Sequence, residues 1–270
     1  MGHLADFAAM NDVRHDDHGP LRLVEWFDAQ GADLPWRRTR DRYAILVAEI
    51  QLQATPVARV LEYYEPWMRR WPTACDLASE SLGEVLAAWQ GLGYPRRARN
   101  LHAACRVVCD AGWPERLTDL PGVGPYTAAA VRCFADEADV LPVDTNVARV
   151  IARRFPEGWP GTPSGRAWHI GQALMDLGRL YCTARSPRCD QGCPVRAGCA
   201  AADAGRAVEL TPVRRPQGRY EGSMRQRRGR LLAALCADGA TAASDDEAAA
   251  ESLVREGLAR RNGPLLVRAD

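Results

Sequence analysis

Apolar positions along this chain recur mostly with the period of a helix. Leu21, Val24 and Phe27 stand three residues apart before Gly31, and Tyr43, Leu46, Val47 and Ile50 follow an i, i+3, i+4, i+7 pattern. Thr55 followed by Pro56 reads as a cap and a first-turn proline for a helix carrying Val57, Val60, Leu61 and Tyr64, which Pro66 should kink or end. Ser81 and Glu84 read as a capping box ahead of Leu82, Val85, Leu86 and Trp89, with Gly91 and Gly93 breaking that helix. A further helix is predicted over 95–109 with Ala98, Leu101, Cys105 and Val108 inward. Another, capped by Asp144 or Thr145, carries Val147, Val150 and Ile151, and one more covers 168–180. No stretch before residue 259 alternates convincingly as a strand does, so the predicted class is all-α.

The two ends read differently. Residues 1–19 are acidic and without period, and are expected to be a disordered tail. From 206 to 230 there are eight arginines against two acids, with Pro212, Pro216, Gly218 and Gly222 among them, so 206–224 reads as a basic linker. Two short helices at 225–236 and 247–258, then a turn at Gly263 and Pro264 before Leu265 to Val267, predict a small winged-helix-like module over 225–270.

Composition narrows the chemistry. With 270 residues, 47% hydrophobic and 26% charged, the chain can bury a core unaided. No apolar run approaches the roughly 18 residues that span a bilayer, and the first residues lack a signal-peptide core, so a cytoplasmic protein is expected. The net charge of +1 says little, but all 35 basic residues are arginine, and a side-chain amine for Schiff-base chemistry is therefore missing. In a reducing compartment the nine cysteines are not expected to form disulfides. Cys75, Cys105, Cys109, Cys133 and Cys236 read as small core residues. Cys182, Cys189, Cys193 and Cys199, with six, three and five residues between them, would bind either zinc or an iron–sulfur cluster. Unequal gaps within one loop favour a 4Fe–4S cluster.

Leu120-Pro121-Gly122-Val123-Gly124-Pro125-Tyr126-Thr127 is the most informative string. Two glycines can take backbone angles that other residues avoid, and a helix starts directly after them, so the exposed amides would converge on a phosphate. A short helix before it makes the whole resemble a helix-hairpin-helix, a binder of the DNA backbone that ignores base sequence.

Together with Val143-Asp144-x-Asn146 and the four-cysteine loop, the hairpin is similar to the endonuclease III superfamily of DNA glycosylases. Leu34-Pro35-Trp36-Arg37, Glu49 in AEIQLQAT, WQGLGYPRRARNLH from Trp89 and GQALMDLG from Gly171 resemble its adenine DNA glycosylase branch. The resemblance covers about residues 20–205. It implies a six-helix barrel over 40–148 and an iron–sulfur domain made of 20–39 and 149–205, with DNA and the active site between the two. The implied substrate is double-stranded DNA holding adenine opposite 8-oxoguanine or guanine, bound by a monomer.

Base excision itself explains the residue types. The nucleotide must leave the stack, and cleavage of the glycosidic bond then creates an oxocarbenium-like sugar and an anionic base. Glu49 sits near the C-terminal end of its predicted helix beside Leu46 and Ile50, where dipole and burial favour a protonated acid. Asp144 sits at a helix start, where the dipole keeps a carboxylate charged.

From the resemblance, Glu49 protonates the adenine ring and later helps to activate water, Asp144 stabilises or briefly traps the sugar cation, Tyr126 supports the transition state, and Asn146 bonds within the same cluster. Bifunctional relatives carry a nucleophilic lysine where Tyr126 stands, so excision without strand cleavage is expected. Arg37 and Gln172 match positions that hold the flipped adenine, Tyr94 matches the aromatic wedge, and Gly122, Val123, Gly124, Arg96, Arg97 and Arg99 would meet the phosphates. Four features depart from the branch. Ala54 replaces a second glutamine, Pro95 a second aromatic, and Thr145 a glycine, while the gap between Cys189 and Cys193 is one residue longer. About 60 residues follow the catalytic part, too few for the Nudix-like domain that reads 8-oxoguanine in longer members. The other readings weighed are an endonuclease III-like pyrimidine-lesion glycosylase and a non-catalytic iron–sulfur DNA-binding protein.

Overall fold

The structure, a computed structural model, describes residues 18–205 and 218–269. The expected tail, apart from His18 and Gly19 at the start of the first helix, and the expected linker from 206 to 217 lie outside the described residues. Helices run in the order α1 (His18–Gln30), α2 (Arg42–Leu52), α3 (Val57–Arg70), α4 (Ala74–Ser79), α5 (Leu82–Ala88), α6 (Arg96–Ala111), α7 (Pro125–Phe134), α8 (Thr145–Arg154), α9 (Ala167–Leu180), α10 (Ala200–Asp203), α11 (Met224–Asp238) and α12 (Glu247–Arg255). Strands β1 (Ala240–Ala242), β2 (Ala259–Asn262) and β3 (Leu265–Arg268) form an antiparallel sheet in the order β1-β3-β2. The fold is thus mostly helical rather than all-α, and β1 falls before residue 259. Three residues are too short to show alternation, and β1 is fixed by a distant partner, Thr241 opposite Leu266. No helix among the described residues is long and apolar enough to cross a membrane.

The described backbone divides into two compact units, residues 18–32 with 143–205, and residues 33–142 with 218–269. In the first, α9 packs against α1 and α8. The inward face of α1 is Leu23, Val24, Trp26 and Phe27, whereas Leu21 is exposed, one turn off the expected stripe. Gly178 lets α9 approach α8, because a Cβ there would stand 2.7 Å from the Asn146 Cβ.

In the second unit α2 is the central helix. Every residue from Tyr43 to Gln51 is buried, so the helix is enclosed on all sides rather than amphipathic. Each fully buried Leu or Ile contributes about 1.5–3 kcal/mol, and the two polar residues among them, Glu49 and Gln51, cost some of that back. Pro56, not Thr55, is the N-cap of α3. The Thr55 hydroxyl instead bonds the Gln53 and Leu92 carbonyls, each at 3.3 Å. Pro66 lies within α3 without ending it: it faces solvent, and buried Tyr64 and Trp67 hold both halves. Leu61 is exposed. The Ser81 side chain caps α5, but Glu84 completes no capping box because its carboxylate is taken by Arg70 at 2.8 Å and Arg268 at 2.9 Å. The capping box lies one helix earlier, between Thr73 and Asp76.

Two expectations about thiols are corrected here. Cys75 and Cys109 are exposed, not core residues, and form a disulfide between α4 and α6. These helices pack side by side and bring positions 34 apart in sequence to a Cα separation of 5.0 Å. Cys105 and Cys133 are buried as expected, and burial pushes both thiols up to about 12.

The C-terminal segment packs onto the same unit through α11 and α5. Arg99 of α6 donates to the Glu256 carbonyl, Arg268 donates to Glu84 of α5, and Gln90 Nε2 lies 3.4 Å from Cys236 Sγ.

Candidate active site and cysteine loop

Glu49 is 5% exposed in the second-last turn of α2. The Tyr126 hydroxyl donates to its Oε2 at 2.9 Å. This bond follows from the packing of α2 on α7, which begins at Pro125 and so presents Tyr126 in its first turn. Next to this pair, Gln53 ends α2 and its amide nitrogen lies 3.4 Å from the Thr127 hydroxyl. Ala54 takes a left-handed conformation with φ of 55°.

The hairpin preceding α7 is anchored by buried Val123 between exposed Gly122 and Gly124. Gly122 is needed twice over: its φ is +76°, and a Cβ would stand 2.7 Å from the Asn100 Cβ of α6. Gly124, expected to share that role, is extended (φ −87°, ψ 177°), with open space where a side chain would go. No side chain caps the first turn of α7. The turn therefore offers an accessible helix N-terminus of the kind that binds phosphate.

Tyr94 is 45% exposed, with φ at +50°. The three arginines after it do not share one solvated face. Arg96 is exposed, with Nε 4.0 Å from a Glu256 carboxylate oxygen. Arg99 reaches the Glu256 carbonyl and Asn100. Arg97 turns inward and donates to main-chain carbonyls. Arg37 is half-buried at the end of a short 3-10 turn, Pro35–Arg37, beside buried Trp36.

In the other unit, Asp144 is the N-cap of α8. Its Oδ1 accepts from the backbone N–H groups of Asn146 (2.8 Å) and Val147 (2.7 Å), and its Oδ2 accepts from the Asn146 side-chain amide at 2.8 Å. Three donors on one carboxylate fix its orientation. Behind it, buried Arg149 donates to Asn146 Oδ1 (2.8 Å), the Gly178 carbonyl (2.9 Å) and the Cys182 carbonyl (2.7 Å). Burial holds this guanidinium below its ordinary value. Gln172 is buried on α9, one turn before buried Asp176, which accepts from the Ala32 N–H at 3.0 Å.

Cys182, Cys189, Cys193 and Cys199 line one cavity, together with Arg153 and Arg154 of α8. Arg153 donates to the Thr183 (2.8 Å) and Ala184 (3.1 Å) carbonyls and lies 3.4 Å from Cys182 Sγ; Arg154 donates to the Gly198 carbonyl at 2.6 Å. Burial, with the neighbouring thiols, pushes Cys193 up to about 11 and also raises Cys189. Four sulfurs gathered in one cavity are a donor set that suits a thiophilic cation. As placed, no group of three or more His, Cys, Asp or Glu side chains among the described residues is arranged to hold a metal ion.

The geometry brings together Glu49 with Tyr126, Asp144 with Asn146, and the four cysteines. Composition could not reveal the inward arginines, 97, 149, 153 and 154. The only sequence signal for the last three was their place among Val147 and Val150 on α8.

The chain as a whole is similar to known proteins of one family. Residues 47–163 match the HhH-GPD superfamily of base excision DNA repair proteins. An adenine DNA glycosylase of Mycobacterium tuberculosis is 42% identical over 258 residues, covering 87% of this chain and 83% of that protein. One of Mycolicibacterium smegmatis is 43% identical over 238 residues, 80% of each. Among solved structures, a thermostable thymine-DNA glycosylase superposes with a TM-score of 0.61 at 29% identity, covering 68% of this chain and 95% of that one.

Proposed function

The chain belongs to the adenine DNA glycosylase family of base excision repair enzymes, and on that premise we propose that it excises adenine mispaired with 8-oxoguanine or guanine as a monomer, leaving the strand uncut. The observation that carries this reading is the buried Glu49 held by Tyr126 at 2.9 Å in the first turn after the hairpin. Protonated Glu49 gives its proton to the adenine ring, the bond between the ring nitrogen and the sugar C1′ breaks with its electron pair leaving on adenine, and C1′ becomes cationic. Asp144, oriented by three donors, stabilises that cation. Water then attacks C1′ and returns a proton to Glu49, so the acid is regenerated.

Tyr126 occupies the place of a lysine nucleophile and has no amine, and the chain contains no lysine, so an imine that would lead to strand scission has no side chain to form on. Arg37 and Gln172 bind the extruded adenine: one donates only, the other both donates and accepts. Gly122, Val123 and Gly124 hold a phosphate through backbone amides, and Arg96 adds charge at the surface.

The cysteine loop suits a 4Fe–4S cluster, with Cys182, Cys189, Cys193 and Cys199 as ligands in an iron–sulfur domain with α8. Such a cluster, when bound, supplies a rigid cross-link between distant parts of the loop and a positive centre for four thiolates. Residues 225–269 are read as a winged-helix-like module. Its helix α12 exposes Glu247, Glu251 and Arg255, a mixed face that does not suit insertion between phosphates.

The test is incubation with duplexes carrying adenine opposite 8-oxoguanine, adenine opposite guanine, or a thymine glycol. Abasic product that breaks only on alkali, from the two adenine duplexes alone, is expected. Nicking without alkali, or excision of thymine glycol, would overturn the proposal. Iron and sulfide analysis of aerobically purified protein decides the cluster against zinc.

A further inference from the structure

We infer that Arg97 is the positioning residue for Tyr94, setting the exposed ring in the orientation that enters the duplex beside the extruded adenine. The inference rests on the reading of Tyr94 as the wedge. Tyr94 takes a left-handed conformation, φ +50°, which a residue with a Cβ adopts only at a cost. The preceding Gly91 and Gly93, at +98° and +74°, give the segment no stiffness of its own. A strained residue on a flexible turn keeps its conformation only where its surroundings over-determine it.

Arg97 supplies that determination. Its Nη2 donates to the Leu92 (2.8 Å) and Gly93 (2.9 Å) carbonyls, immediately before Tyr94, and to the Thr55 hydroxyl (3.1 Å). Its Nη1 donates to the Ile50 (2.8 Å) and Gln51 (3.0 Å) carbonyls in the last turn of α2, directly after Glu49. The guanidinium carbon lies 5.6 Å from the Tyr94 ring centroid and 5.2 Å from that of Trp89, whose Nε1 also donates to the Gly93 carbonyl at 2.9 Å. One planar fork thus ties the base of the aromatic turn to the helix that carries the acid. Lysine, with a single ammonium, cannot span both sets of carbonyls. An arginine whose job was to bind phosphate would face solvent, whereas these donors are spent on the chain itself.

The experiment is a double-mutant cycle on the full-length protein, read by single-turnover excision and by fluorescence of 2-aminopurine placed beside the mismatched adenine. Tyr94→Ala should slow excision roughly tenfold and weaken the unstacking signal, as loss of a stacked ring does. Arg97→Gln should do the same by about tenfold, with DNA affinity held within about threefold, since a misplaced group costs rate more than binding. In the Tyr94→Ala background, Arg97→Gln should add less than about twofold, because both act through one ring. Arg97→Lys should recover only part of the loss. If Arg97→Gln does not fold, Trp89→Phe, which keeps an aromatic though smaller ring and loses one hydrogen bond to Gly93, carries the test: a smaller loss that vanishes in the Tyr94→Ala background is expected. Multiplying losses, or an unchanged unstacking signal in the Arg97 and Trp89 variants, would overturn the inference while leaving the wedge intact. Full excision and unstacking by Tyr94→Ala would overturn the wedge reading itself.

Discussion

Replacing Arg149 by methionine would keep an unbranched apolar stem and remove the guanidinium fork. Four acceptors lose a charged donor: the Cys182, Gly178 and Thr145 carbonyls and Asn146 Oδ1. Hydrogen bonds to charged groups contribute about 1.5–3 kcal/mol each, and the Thr145 contact at 3.3 Å is the weakest of the set. Relief of the desolvation that depresses this guanidinium returns part of the loss, leaving a net destabilisation on the order of 3–5 kcal/mol. At about 2–4 °C per kcal/mol for a domain of this size, Tm should fall by roughly 10 °C. The chemical effect is separate. With Oδ1 unheld, the Asn146 amide is free to turn, and Asp144 loses the donor at 2.8 Å on Oδ2. On the role proposed for Asp144, loss of one donor from its carboxylate should slow excision by about 10–100-fold. Thermal melts followed by circular dichroism and single-turnover excision at a temperature where the variant is folded measure the two effects. An unchanged rate in a folded variant would refute the positioning of Asp144 through Asn146, and an unchanged Tm would refute the anchoring of the cysteine loop on α8.

Gln51 is fully buried in α2, and neither side-chain amide atom has a hydrogen-bond partner, so Gln51→Met should raise stability by about 1–2 kcal/mol in urea denaturation; a loss would contradict this. Gly178→Ala forces a Cβ to 2.7 Å from the Asn146 Cβ, and should cost about 1–3 kcal/mol and slow excision, whereas Gly124→Ala, with open space around it, should leave stability nearly unchanged. Burial holds the His102 imidazole below its ordinary value, with Nε2 3.0 Å from the Glu80 carbonyl. The folded state therefore binds fewer protons than the unfolded chain, and stability present above pH about 6.5 is lost as pH falls below it. His102→Gln should flatten that slope between about pH 7.5 and 5 in denaturant midpoints; an identical slope would show that other groups set it.

Helix order and the position of Glu49 were legible because α2, α7 and the hairpin are specified locally, by apolar spacing, a proline at a helix start and a glycine turn. The contact between Glu49 and Tyr126 was not legible, since it depends on how α2 and α7 pack, 77 residues apart in sequence. The inward course of Arg97, expected at the phosphates, and of Arg149 was not legible for a different reason: their partners are mostly main-chain carbonyls, which every residue has, and 35 arginines leave no way to tell an inward one from a solvated one. The Cys75–Cys109 disulfide ran against the prior for a reducing compartment, and only the packing of α4 on α6 reveals it. Of the two outcomes expected of Pro66, a kink or an end, α3 does not end there: the helix runs on through it, with Pro66 facing solvent.

The most direct test of the account is Glu49→Gln in single-turnover excision of adenine opposite 8-oxoguanine, with DNA affinity measured on the same preparation. Glutamine keeps an acceptor for the Tyr126 hydroxyl but carries no acidic proton, so the rate should fall by about 10²–10⁴-fold while affinity stays within a few-fold of the parent protein. Excision at the parent rate by the Glu49→Gln variant would contradict the assignment of Glu49 as the acid.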